Sequence, residues 1–127
     1  MNKKTFWKII KELNWDGSYK ACSKKLLEKH KNNEIDLQDF YNQYMNFVFL
    51  INQETERRID NNKECFEAFV SYGADDCHFI DLPGELIGRG QSEVKKYLAG
   101  KYLVSYEPRE CFTYMFHSFI DKNLIKQ

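Results

Sequence analysis

An all-α fold, a compact single-domain bundle of six or seven helices around one long central helix, is what this sequence predicts. Three observations carry the prediction. From Asp36 onward, Phe40, Tyr44, Phe47, Ile51 and Thr55 recur at steps of three and four, a helical period that runs for about twenty residues without a turn. Turn and capping residues (Asp16-Gly17-Ser18, Asn32-Asn33, Asn61-Asn62, Gly73 and Gly88-Arg89-Gly90) punctuate the chain at intervals that suit short helices. No Pro-rich, Ser-rich or repeated stretch divides the 127 residues, so residues 1–127 are expected to form one helical domain.

At the N-terminal end, Thr5 is a candidate N-cap for a first helix over about 5–14, in which Phe6, Trp7, Ile9, Ile10 and Leu13 fall at helical spacing. Ser18 can cap a second, with Cys22, Leu26 and Leu27 inward and Lys20, Lys24, Lys25 and Lys29 toward water, ending near Asn32-Asn33. Tyr41, Val48 and Leu50 widen the apolar face of the central helix, which predicts contacts on several of its sides. The run from Phe47 to Leu50 taken alone also suits a buried strand, but the helical period on both sides of it decides for helix.

Beyond Asn61-Asn62, a helix bearing Cys65, Phe66, Phe69 and Val70 is expected to end at Gly73, with the Asp75-Asp76 pair capping the next helix. Pro83 fits the first turn of a short helix reaching Ile87, although Gly84 weakens it. Ser92 is expected to start another, marked by Val94, Tyr97 and Leu98 and closed by Gly100. Pro108 opens the last helix, with Phe112, Met115, Phe116, Phe119 and Ile120 inward.

Composition bounds the function. A chain of this length buries roughly two-thirds of its extended surface, enough for a core without metal or disulfide. Ten Phe, eight Tyr and two Trp make up 16% of the residues, and rings near a surface serve as contact anchors. Cys22, Cys65, Cys77 and Cys111 show neither a secretory leader before them nor zinc-knuckle or redox spacing, which predicts reduced thiols in a cytoplasmic protein. The longest apolar run, Phe47 to Ile51, is far below the roughly 20 residues of a membrane span, so no membrane association is expected. Formal net charge is zero, yet it is segregated along the chain: residues 1–31 hold nine Lys against three acids, residues 32–93 four basic against thirteen acidic residues, and residues 94–127 six against three. Such segregation is ordinarily that of solvated helix faces, and it is also what attracts a basic partner.

No constellation carries catalysis. Cys77 and His78 adjoin Asp75 and Asp76, but adjacency keeps them off a common helical face, and metal ligands on one helix want steps of three or four. Asp75, Asp76, Asp81 and Glu85 match no calcium loop, and capping explains at least one of the pair. Gly84, Gly88 and Gly90 around Arg89 lack both the Gly-Lys-Ser/Thr ending of a P-loop and the strand of a dinucleotide fingerprint, so they read as helix punctuation. Trp7, Trp15 and Tyr19 among the N-terminal lysines suggest phosphate neutralisation and stacking, but Trp7 is spaced as core and arginine is missing there, so direct nucleic-acid binding is not expected. No metal and no cofactor is expected.

With the helices placed, Phe6-Trp7, Tyr72-Gly73-Ala74-Asp75-Asp76, Phe79 to Leu86, Gly88-Arg89-Gly90 and Tyr97-Leu98 resemble the small bacterial family of unknown function DUF4240, chiefly over residues 66–98. In that family an N-terminal Phe-Trp precedes a central helix, and a Gly-Cys-Ser-Asp-Asp-like turn leads to a helix ending in Gly-Arg before a Tyr-containing helix. The chain departs from it at Leu82-Pro83-Gly84-Glu85-Leu86, where the family has an aromatic, Trp-containing helix. The resemblance implies a helical bundle and assigns no reaction. By looser analogy of class, a short, aromatic-rich, Lys- and Asn-rich chain with an acidic middle is similar to bacterial immunity proteins that neutralise contact-dependent or secreted toxins.

The functional expectation is therefore an immunity protein, not an enzyme, that binds and occludes a cognate protein toxin with a basic active-site cleft, a nuclease in the first instance. Tyr72, Asp75, Asp76, Phe79, Asp81 and Glu85 are the expected partner-binding residues. The alternatives are a non-catalytic regulatory or scaffold module, and an enzyme using Asp75, Asp76 and His78.

Overall fold

The long amphipathic period from Asp36 becomes α3, Leu37–Asp60, a 24-residue helix about 36 Å long at 1.5 Å per residue. The computed structural model describes residues 1–63, 76–100, 104 and 110–127, and among them the fold is all-α. The Asp36 carboxylate caps α3 by accepting from the amides of Gln38 and Asp39 at 2.8 and 3.2 Å, so two amides that lack helical partners are satisfied. Leu37, Phe40, Tyr41, Tyr44, Phe47, Val48, Ile51 and Thr55 are buried along it. Leu50, expected to widen the apolar face, is 40% exposed instead, because Phe47, Val48 and Ile51 already cover the arc facing the neighbouring helices.

The other described elements pack around α3. They are α1 (Lys3–Leu13), α2 (Lys20–Lys31), α4 (Asp76–Arg89), α5 (Gln91–Leu98), a 3-10 helix (Phe112–Phe116) and α6 (His117–Asp121). Helices α1, α4 and α5 contact α3 directly, while α2 sits on α1 and the 3-10 helix. Rings knit the core: Phe6 meets Phe40 and Phe47 at centroid distances of 5.1 and 5.2 Å, and Tyr44 meets Phe116 edge-on at 4.9 Å.

Several boundaries differ from expectation for local reasons. The cap of α1 is Asn2, whose side chain accepts from Thr5 N–H at 2.8 Å, so Thr5 lies inside the helix. No side chain caps α2; the Ser18 amide is engaged by Asp16 Oδ1 at 3.2 Å in an Asx turn. Gly90, at φ 117°, precedes α5 and places Ser92 at its second residue instead of before its first. The final element is a 3-10 turn that relaxes into α6, with Phe112, Met115, Phe116 and Phe119 buried and Ile120 partly so. The expected helix around Cys65 to Val70, its Gly73 stop and the Pro108 start lie outside the described residues.

The largest departure is in α4. Pro83 does not open a helix but sits in the middle of one. Proline has no N–H for the carbonyl four residues earlier, here that of Phe79. Asn52 of α3 supplies the replacement, donating from Nδ2 to Phe79 O at 3.2 Å. The glycines of α4 serve packing more than punctuation: a Cβ on Gly88 would stand 2.1 Å from Trp15 Cε3, and one on Gly84 would stand 3.0 Å from Cys111 Sγ.

Candidate functional site

Of the residues expected to contact a partner, Tyr72 and Asp75 lie outside the described residues, as do the side chains of Asp76, Cys77 and His78. Asp76 is the first residue of α4. Phe79 is half-buried and Asp81 half-buried beside Cys111, whose thiol burial pushes up to about 11, with Asp81 adding to the rise. Glu85 is 5% exposed, and Arg89 donates from Nε to its carboxylate at 2.6 Å, one turn along the same helix. Because α4 runs through Pro83 without a break, Glu85 falls on its inner side, and its charge is used within the fold.

A second acidic group is likewise internal. Glu54, 9% exposed, accepts from Arg57 Nε and Nη2 at 2.8 and 2.6 Å and from Arg58 Nε at 3.0 Å. The Arg57 hydrogen bond, helped by Arg58, holds the Glu54 carboxyl below the usual glutamate value against the opposing effect of burial. Arg58 also donates to Tyr97 O at 2.8 Å and lies 3.9 Å over the Tyr97 ring, while Thr55 and Tyr97 share a hydroxyl contact at 2.7 Å. This polar joint locks α3 to α5. It leaves both arginines of α3 occupied.

The acidic middle nonetheless has an open face, on α3. Asp39, Asn42, Met45, Phe49, Gln53 and Glu56 are all exposed and succeed one another at steps of three and four, continuing to Asp60. Phe49 stands at the centre of this stripe, 62% exposed, with Met45 one turn before it at 36% and Leu50 beside it at 40%. The carboxylates of Asp39, Glu56 and Asp60 form no ion pair among the described residues, and residues 32–62 contain no Lys. An aromatic centre within a polar, net-negative rim is the composition of a protein-contact surface.

Sequence reasoning missed Phe49 because it stands inside the apolar run from Phe47 to Ile51, where every residue suits a core. Its register was the available signal, seven residues from both Asn42 and Glu56 and so two helical turns from polar residues on each side. Among the described residues no group of three or more His, Cys, Asp or Glu side chains could hold a metal ion, and no helix is long and apolar enough to cross a membrane. No protein-family model, curated protein or solved structure matches this chain.

Proposed function

We propose that the protein is a non-catalytic immunity-type module that neutralises a contact-dependent or secreted bacterial toxin by covering it with the outer face of α3. The observation that carries the reading is Phe49, a large ring 62% exposed at the middle of the 24-residue α3. Asp39, Glu56 and Asp60 around it suit a basic partner surface such as the cleft of a nuclease: the charges steer the encounter and the ring fills an apolar pocket.

The test is binding and protection with a toxin encoded beside the gene. Phe49→Ala is expected to weaken binding by at least about 2 kcal/mol, the loss typical of a central aromatic anchor, while the thermal midpoint barely moves because the ring is exposed. Undiminished affinity in that variant would place the contact elsewhere. Failure of the wild-type protein to bind the toxin or protect cells would end the immunity reading.

A further inference from the structure

The N-terminal lysines and the Gly-Arg-Gly segment, some eighty residues apart in sequence, wall a single groove of about 980 Å³ between α1 and the α4–α5 junction. One wall is a row of cations, Lys4, Lys8 and Lys11, which share a face of α1. Unlike Lys29, which pairs with Glu12, none of the three forms an ion pair among the described residues. Opposite them is the first turn of α5, which no side chain caps and which comes directly after Gly90, a residue with nothing within 4 Å of where a Cβ would stand. Its amides and the positive end of its dipole add to the lysine field. Among the described residues Glu93 is the one carboxylate that lines the groove, and Lys96 holds it at 3.5 Å.

Size and spacing narrow the ligand. The volume lies at the upper end of the roughly 300–1,000 Å³ typical of small-molecule sites. Lys4, Lys8 and Lys11 extend about 10 Å along the helix axis at 1.5 Å per residue, which suits a chain of linked phosphates better than a single anion. The groove's rings are already packed, Trp7 edge-on to Phe6 at 5.0 Å and Trp15 against Phe112 at 5.2 Å, so none stands out to stack on the bases of a nucleic-acid strand. We infer that this groove is a binding site for a small linked polyphosphate, recognised through its phosphates. Its phosphates lie between the α1 lysines and the first turn of α5. The site is separate from the outer face of α3.

Calorimetric titration of the full chain with sodium tripolyphosphate and with ATP at low salt tests it. Both should bind, and inorganic phosphate should bind at least about tenfold more weakly, a difference of about 1.4 kcal/mol. Two variants attack opposite walls. Ser92→Asp sets a carboxylate in the first turn of α5, where it favours the helix but repels the ligand. Lys4→Ala/Lys8→Ala removes two exposed cations. Each should lower tripolyphosphate affinity at least about tenfold with the thermal midpoint held or raised, whereas Lys20→Ala/Lys24→Ala on α2 should leave it unchanged. No binding by the wild-type chain, equal affinity in either groove variant, or an equal loss in the α2 control would overturn the proposal. So would tighter binding of polyglutamate or duplex DNA than of tripolyphosphate, which would give the groove to a macromolecule.

Discussion

Gly88 lacks a side chain where Trp15 needs the space. A Cβ there would lie 2.1 Å from the indole, and Trp15 also packs against Phe112 at a centroid distance of 5.2 Å, so any shift of the indole disturbs a second contact. Alanine in a helix interior ordinarily gains about 1 kcal/mol over glycine, but overpacking costs about 1 to 3. Gly88→Ala is therefore expected to destabilise the protein by about 1 to 2 kcal/mol, read from urea unfolding; a stabilised variant would show that Trp15 yields without cost. Glu85 makes the same point about charge. A carboxylate on a segment that reads as surface is withdrawn from water because its helix continues one turn to Arg89.

Within α4 the defect made by Pro83 and its repair by Asn52 belong to different helices. Removing the repair strands a carbonyl, so Asn52→Ala should cost about 1 to 3 kcal/mol. In a Pro83→Ala background the new amide can take the Phe79 carbonyl itself, and the cost of losing Asn52 should shrink by about 1 kcal/mol. A double-mutant cycle of unfolding free energies reads the coupling directly, and additive effects would refute the link. The ends of α3 are simpler, since Asp36 caps one and Asn61-Asn62 releases the other, with Asn62 at φ 55°.

Among the described residues, acids gather around Phe49 on α3 and lysines along the groove on α1. The Glu54–Arg58–Tyr97 joint inside holds α5, and with it one wall of that groove, against the central helix. Losing one partner of a buried pair typically costs about 3 to 5 kcal/mol, and Glu54→Gln should fall near the lower figure, because Tyr97 still accepts from Arg58. The folded protein holds the Glu54 carboxyl below its ordinary 4.5, so the stability it contributes is complete above that value and is lost as pH falls below it. Urea midpoints should therefore drop more steeply between neutral pH and about pH 3 for the wild type than for Glu54→Gln. Parallel declines would contradict the assignment.

The sequence alone determined the helical class, the extent and start of the central helix at Asp36, and the breaks at Asn61-Asn62, Gly90 and Gly100, because periodicity and capping act over one or two turns of chain. Tertiary structure decided which side of the run from Phe47 to Ile51 meets the core, that Glu85 is spent on Arg89, and that Pro83 is carried inside a helix. The Glu85–Arg89 pair follows from the unbroken helix through Pro83, and that helix relies on Asn52 of α3 for the Phe79 carbonyl, as Gly88 relies on Trp15 and Arg58 on Tyr97. The polyphosphate groove was beyond local reading for the same reason, since its two walls are distant in sequence and only the packing of α1 beside the α4–α5 junction adds their fields together.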